Sequence, residues 1–157
     1  MTGSWEPFGA TRRTTRDSSK PAAPGPDATS PAASPPLADL PREPARGLIV
    51  ITCMDARIDP LAALGLRLGD AHVIRNAGAT VSEDVLRSVH TSHTKLGTTH
   101  AVVMGHTDCA GHGSDAAAAD AASDAARRLR SLGALPESFG IEALLYDVRT
   151  GVVTRLD

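Results

Sequence analysis

The sequence has few aromatic residues, few cysteines and no long apolar run. Its 157 residues include two Phe, one Tyr, one Trp and two Cys. No apolar run approaches the roughly 18 residues that a membrane span needs, and none near the N-terminus forms the core of a signal peptide. These absences argue against a membrane protein and against an exported one. We therefore expect a cytoplasmic protein, whose thiols a reducing environment would keep free.

The charges of the chain are nearly balanced. Lys and Arg together number 16 and Asp and Glu 18, which gives a formal net charge of −2 at neutral pH. No basic stripe alternates with aromatic residues, as it does on many surfaces that bind nucleic acids. The sequence therefore gives no indication of a nucleic-acid partner.

The composition divides the chain into two parts. Nine of the eleven prolines lie in residues 1–44, which are rich in Pro, Ala and Ser and have few large apolar side chains. Such a segment buries too little apolar surface to offset the entropy lost on ordering its backbone. We predict a flexible tail over 1–44 and a single folded domain over 45–157.

Within this domain, apolar segments alternate with segments of helical pattern. Five segments are predicted to form strands: 48–53, 72–75, 100–104, 142–148 and 152–154. Three segments are predicted to form helices: 60–68, from about 80–82 to 96, and 115–132. Alternation of this kind predicts an α/β fold with a mostly parallel central sheet flanked by helices. The last two strands are close enough to form an antiparallel C-terminal hairpin.

Capping signals place two of the helix starts. Asp59 and Pro60 are predicted to be the N-cap and first residue of the first helix, whose leucines keep helical spacing as far as Leu68. Thr80 and Glu83 stand three residues apart, as in a capping box, and predict the start of the second helix.

Candidate metal ligands follow two of the predicted strands. The first strand ends in the sequence CMDAR at residues 53–57, and the third is followed by HTDC at residues 106–109. If these parallel strands are neighbours, their carboxyl ends meet at one edge of the sheet, where open α/β sheets build their sites. Cys53, His106 and Cys109 then become three zinc ligands with a fourth position open, as in a catalytic zinc site.

The two motifs resemble those of the β-class carbonic anhydrases, and in particular of a short bacterial subgroup of that family. The segment RNAGA at residues 75–79 agrees with the family and lies between the two ligand motifs, as expected. The resemblance is close over about 48–109 and looser from about 124 to the C-terminus. It implies one Zn²⁺ per chain and reversible hydration of carbon dioxide to bicarbonate and a proton by attack of zinc-bound hydroxide.

The resemblance also implies roles for Asp55 and Arg57 as catalytic residues. Two thiolates leave the zinc a weaker Lewis acid than three histidines would, so neighbouring groups must help the bound water to ionise. Asp55 would accept a hydrogen bond from the hydroxide, while Arg57 holds the carboxylate in a bidentate pair. In a closed state of some family members the aspartate leaves the arginine and becomes the fourth zinc ligand.

Departures from the family pattern keep an alternative open. Ala110 replaces the usual glycine after Cys109, the segment from Cys109 to Leu132 is short, and few aromatic residues are available for a pocket wall. The family's N-terminal helices are not recognisable either. The chain could therefore be a catalytically weak or inactive zinc-binding relative, or it could act on another small cumulene such as carbon disulfide.

Two further expectations concern partners and a loop histidine. The family buries its active site at a subunit interface, so the resemblance implies a homodimer or a higher homo-oligomer. His112 lies in a glycine-rich loop after Cys109. It is predicted to be a solvated loop residue, with proton transfer or metal binding as the alternative role.

Overall fold

A five-stranded sheet forms the centre of the molecule, with the strand order β2-β1-β3-β4-β5. The computed structural model of the protein describes residues 36–131 and 133–156. The strands are β1 Leu48–Cys53, β2 Ala71–Asn76, β3 His100–His106, β4 Gly140–Tyr146 and β5 Val153–Leu156. The α-helices are α1 Pro60–Ala63, α2 Glu83–Leu96 and α3 Asp115–Ser131, and short 3₁₀ turns span Leu37–Asp39 and Ala77–Ala79.

The pairing of the strands confirms the predicted fold class. β1 pairs in parallel with β2 and β3, and β3 pairs in parallel with β4. β5 is antiparallel to β4, so the predicted C-terminal hairpin is present. Within the described part of the chain, no helix is both long and apolar enough to cross a membrane.

Both faces of the central strands are buried, which explains their continuous apolar sequences. On one face, Ile49, Ile51 and Val103 pack with buried residues of α2 and α3. On the other face, Val50 and Met104 pack with Cys53, Cys109 and side chains of the segment between β1 and β2. The two cysteines thus lie where the second core reaches the end of the sheet.

The helix α3 packs closely against β3 because both surfaces carry small residues. A Cβ atom added at Gly105 would lie 3.0 Å from the carbonyl oxygen of Ala118 and 3.1 Å from the Cβ of Ala122. Ala118 and Ala122 are themselves buried. The alanine-rich composition therefore allows close packing of α3 beside the strand that carries His106.

The first helix begins as predicted but is much shorter. Asp59 is the N-cap, and its Oδ1 accepts hydrogen bonds from the backbone N–H groups of Leu61 and Ala62, each at 3.1 Å. The predicted continuation to Leu68 is wrong, because α1 ends at Ala63 and Gly65 has a φ of 63°. A left-handed residue at that point turns the chain away from the helix axis.

The capping box predicted for the second helix is also wrong. Ser82 is the N-cap of α2, and its hydroxyl accepts from the backbone N–H of Val85 at 3.4 Å. Thr80 is bonded instead to Asn76, whose side chain accepts from the N–H of Thr80 and donates to its carbonyl oxygen. Gly97, with a φ of 72°, ends the helix as expected.

The predicted tail falls mostly on residues 1–35, which lie outside the described part of the chain. Residues 36–44 are described, and several of them contact the domain. The carbonyl oxygen of Arg42 lies 2.8 Å from Nε2 of His72, and the side chain of Leu40 packs over Gly69. The buried Pro44 then leads into the first strand.

Candidate metal centre

Cys53, His106 and Cys109 lie together at the carboxyl edge of the sheet. Cys53 is the last residue of β1 and His106 the last of β3, and these strands are paired neighbours. The three side-chain donor atoms lie within 4.8 Å of one another, so that one metal ion could contact all three. The sequence predicted these residues as a group, and the structure brings them together.

The hydrogen bonding of His106 leaves one ring nitrogen without a partner. Its Nδ1 lies 2.9 Å from the carbonyl oxygen of Thr107, which can only accept, so Nδ1 carries the proton. The Nε2 atom then presents a lone pair, and it is buried without a hydrogen-bond partner among the described residues. A buried polar atom of this kind is costly unless something binds it. A metal ion beside the two thiols would satisfy it.

The two thiols are free and buried. Burial raises the pKa of the Cys109 thiol, and the neighbouring Cys53 acts in the same direction. The Cys109 thiol therefore resists ionisation unless a cation compensates the charge, and a bound metal ion deprotonates its thiol ligands. The two sulfur atoms are therefore better suited to bind a cation than to act as nucleophiles.

A close contact between two loops covers one side of the centre. The backbone N–H of Gly78 donates to Sγ of Cys53 at 3.4 Å, and the Cα of Gly78 lies near Gly111. Gly78 has a φ of 70°, and a Cβ atom there would lie 2.9 Å from Nε2 of His112. Glycine at 78 is thus favoured by its left-handed backbone and by the histidine ring packed on it.

His112 is half-buried rather than fully solvated. Its Nε2 lies 3.4 Å from the carbonyl oxygen of Gly78. It also lines a cavity of about 260 Å³ whose described walls carry no Phe, Tyr or Trp side chain. The lining residues are Gly78, Ala79, Thr80, Val81, His112, Ala121, Asp124, Ala125 and Arg128.

Asp55 and Arg57 form a bidentate ion pair beside the three donors. Arg57 donates from Nε to Oδ1 of Asp55 at 3.0 Å and from Nη2 to Oδ2 at 2.7 Å, and its backbone N–H also reaches Oδ1. These hydrogen bonds hold the pKa of the Asp55 carboxyl well below its usual range. Oδ2 of Asp55 lies 4.0 Å from Nε2 of His106, so an ionised carboxylate borders the centre.

The sequence analysis missed two residues that hold this pair. Asp108, inside the HTDC motif, accepts from Nη1 of Arg57 at 2.7 Å through Oδ2 and from Nη2 at 2.9 Å through its carbonyl oxygen. Arg75 donates to the carbonyl oxygens of Cys53 and Asp55. Both residues lie within motifs that the sequence analysis used, but their contact partners are at least 20 residues away along the chain, so the motifs alone do not indicate these contacts.

The replacement of glycine by Ala110 has a structural explanation. Among the described non-glycine residues, a positive φ occurs at Ala79 and Asp108 and not at Ala110. The turn after His106 thus places its left-handed residue at an aspartate, which tolerates that conformation better than most residues. Alanine at 110 therefore causes no strain of this kind.

Comparison with known proteins supports a relationship over most of this domain. A family model described as carbonic anhydrase matches residues 48–135. β-Carbonic anhydrase 1 of Mycobacterium tuberculosis is 47% identical over 70 residues, which are 45% of this chain and 43% of that protein. Carbon disulfide hydrolase of Saccharolobus solfataricus is 45% identical over 64 residues, 41% of this chain and 31% of that protein. The matches thus span less than half the length of these curated relatives.

A solved structure matches a larger share of the chain. The carbonic anhydrase of Streptococcus mutans superimposes with a TM-score of 0.70 at 33% sequence identity, and the match covers 75% of this chain and 86% of that one. The similarity therefore extends to the arrangement of the whole sheet. With the family-model match over 48–135, it shows that the chain belongs to the β-class carbonic anhydrase family.

Proposed function

We propose that this chain binds one zinc ion through Cys53, His106 and Cys109 and catalyses the reversible hydration of carbon dioxide to bicarbonate. The observation that carries the proposal is the buried Nε2 atom of His106, which has no hydrogen-bond partner among the described residues and lies with two free thiols in one group. Sulfur and imidazole nitrogen are the donors that zinc prefers in proteins. Three donors leave a fourth tetrahedral position for water.

Zinc would supply one element of the chemistry, because it can lower the pKa of a bound water from 15.7 to about 7 and so provide hydroxide near neutral pH. The chain supplies the geometry. Thr107 fixes the tautomer of His106 through its carbonyl oxygen, so that Nε2 keeps its lone pair directed toward the thiols. The adjacent carboxylate of Asp55 can accept a hydrogen bond from the nucleophile and direct its free lone pair toward carbon dioxide.

Arg57 supports this role of Asp55 in two ways. Its bidentate hydrogen bonds keep the carboxylate ionised, because they lower the pKa of Asp55. They also restrain the plane of the carboxylate beside the centre. The arrangement supports an open site; a closed site, with Asp55 as the fourth zinc ligand, would require this ion pair to break.

Carbon disulfide hydrolysis is a second candidate activity. It is favoured by the 45% identity to a carbon disulfide hydrolase over 64 residues. Carbon disulfide is, like carbon dioxide, a linear molecule with an electrophilic carbon, and the same nucleophile could attack it. The short segment after Cys109 and the scarcity of aromatic residues favour instead the catalytically weak or inactive zinc-binding relative.

We also propose that the active form is a homodimer or a higher homo-oligomer. β2 lies at an edge of the sheet, and Met54 beside the centre is 68% exposed. An edge strand can pair with a second chain, and the exposed Met54, whose backbone N–H donates to the carbonyl oxygen of Asn76 at the end of β2, adds apolar surface there. The two free thiols favour a cytoplasmic location. The composition favours a flexible tail over 1–44 followed by the domain over 45–157, but the described residues 36–44 contact that domain.

The test is stopped-flow hydration of carbon dioxide by zinc-loaded protein, with carbon disulfide as a second substrate. Wild type and a His90→Gln variant, which changes an exposed histidine on α2, should both be active. Cys53→Ser and His106→Gln should lose both zinc and turnover. If wild type retains one zinc per chain but hydrates neither substrate, the inactive zinc-binding relative becomes the better account.

A further inference from the structure

The guanidinium of Arg57 is shared between two carboxylates. Nε and Nη2 donate to Asp55, while Nη1 donates to Oδ2 of Asp108 at 2.7 Å and Nη2 also reaches the carbonyl oxygen of Asp108 at 2.9 Å. All three nitrogen atoms of Arg57 are therefore in use. The side chain of Arg57 is 46% exposed, and an ion pair with one carboxylate at such exposure contributes little stability, so the contacts with Asp108 add restraint.

The backbone of Asp108 is held in an uncommon conformation. Its φ is 52°, in the left-handed region. Its N–H donates at 2.7 Å to Oδ1 of Asp115, the first residue of α3. Asp115 thus fixes the peptide that presents Asp108 to Arg57, and this hydrogen bond is the main reason that the pKa of Asp115 is lowered.

The C-terminal hairpin completes this network. Arg149, in the turn between β4 and β5, donates to Oδ2 of Asp115 at 2.6 Å and to Oδ1 of Asp147 at 3.3 Å. Asp147 in turn accepts from the hydroxyl of Thr107 at 3.1 Å. The contacts form a closed loop that holds residues 107 and 108 from both sides. We call it the hairpin network: Thr107, Asp108, Asp115, Asp147 and Arg149.

We propose that Asp108 is a positioning residue for the Asp55–Arg57 pair. The hairpin network fixes the position of Asp108 and thereby couples the C-terminal hairpin to the metal centre. This inference rests on the proposed function for its effect on catalysis. With Asp108 in place, Arg57 is hydrogen-bonded to two carboxylates, and Asp55 is kept beside Nε2 of His106. Without it, Arg57 has one carboxylate partner, and both side chains gain freedom to leave the site.

Two variants of Asp108 separate its carboxylate from its backbone. Asp108→Gly removes the carboxylate but accepts the left-handed conformation without strain. Asp108→Asn keeps that conformation and an acceptor oxygen for Nη1, so it is the conservative variant. Asp84→Asn is the matched control, because it removes one exposed carboxylate from an Asp–Arg pair on α2, where Arg87 is the partner.

The direct readout is hydrogen exchange of the Nε–H of Arg57, followed by NMR in the zinc-loaded protein. We expect exchange to be at least about fivefold faster in Asp108→Gly than in wild type, with Asp108→Asn close to wild type and Asp84→Asn unchanged. Zinc content should stay at one per chain in all four proteins. The kcat for carbon dioxide hydration should fall about tenfold in Asp108→Gly with little change in KM, because misplacing a catalytic group lowers the rate more than binding.

Arg149→Gln tests the network at a distance from the metal ligands, in case Asp108→Gly does not fold. It should also speed exchange of the Arg57 Nε–H, by a smaller factor. Unchanged exchange in both Asp108→Gly and Arg149→Gln would overturn the inference. If wild type proves inactive, the proposed function fails, but the exchange rates still decide whether Asp108 and the hairpin network position Arg57.

Discussion

The carboxylate of Asp55 lies 4.0 Å from Nε2 of His106, with no hydrogen bond between them. The carboxylate is held in place by Arg57, and the imidazole is oriented by the carbonyl oxygen of Thr107. The two groups therefore face the same small volume while each is anchored from behind. This arrangement suits a metal ion on the histidine and a reacting water next to the carboxylate.

Replacing Asp55 by asparagine tests the role of its charge. Asn has the same size, and its oxygen can still accept from Arg57, but its NH₂ group can only donate where the carboxylate oxygen accepted. We expect the rate of carbon dioxide hydration to fall about 10²-fold, which is within the usual range for removal of a group that accepts or donates a proton in the reaction. Zinc content should stay at one per chain. Loss of zinc together with activity would contradict the role assigned to Asp55.

Gly78 and Gly97 form a matched pair for testing the loop that covers the centre. Both have a positive φ, 70° and 72°, but a Cβ atom would meet His112 at Gly78 and nothing within 4 Å at Gly97. Alanine at either position should lower the free energy of unfolding by about 1–2 kcal/mol. Only Gly78→Ala should also weaken zinc binding in a chelator competition, because it displaces the loop next to Cys53. Equal zinc affinities would show that this loop does not support the site.

The sequence was sufficient to predict the sheet and the group of donors, for a physical reason. Buried parallel strands have continuous apolar sequences, so β1 and β3 can be recognised from the sequence. The carboxyl ends of neighbouring parallel strands necessarily share an edge of the sheet. Cys53 and His106 could thus be placed without knowledge of any other contact. The recognised motifs then supplied an expected pairing of Asp55 with Arg57, and the structure contains that contact.

The missed features depend on contacts between segments that are distant in sequence. The second partner of Arg57 is 51 residues away, and Arg149 reaches Asp115 across 34 residues. No local pattern predicts such pairs. The end of α1 was missed because leucine spacing continued past Gly65, where the backbone leaves the helical region. In α2, the competing bonds between Thr80 and Asn76 made Ser82 the cap.

The hairpin network should make the free energy of unfolding depend on pH in the acidic range. Hydrogen bonds from the backbone N–H of Arg149 and from neighbouring side chains lower the pKa of Asp147 to about 2. An aspartate in an unfolded chain has a pKa of about 3.9. Because the folded-state pKa is the lower one, the stabilisation from ionised Asp147 is fully present above about pH 4 and is lost as pH falls toward 2.

Denaturant unfolding of wild type and Asp147→Asn at a series of pH values measures this effect. Wild type should be the more stable protein at pH 6, and the difference in the free energy of unfolding should shrink steadily between pH 4 and pH 2. A difference that is the same at pH 6 and pH 2.5 would mean that the charge of Asp147 contributes nothing and that its hydrogen bonds alone hold the turn.

Removal of the metal should destabilise the folded domain and expose its thiols to reagents. A ligand that binds only the folded state adds about 4 kcal/mol to the free energy of unfolding when its concentration is 1,000 times Kd. We therefore expect a chelator, under reducing conditions, to lower Tm and to speed alkylation of Cys53 and Cys109, and added zinc to reverse both effects.

The matched histidine variants separate specific binding from general effects of zinc. His90→Gln should keep the zinc-dependent rise in Tm, whereas His106→Gln should lose it because one of the three donors is gone. The same Tm with and without chelator in wild type would refute a metal centre at this edge of the sheet, and the unpartnered Nε2 atom of His106 would then need another explanation.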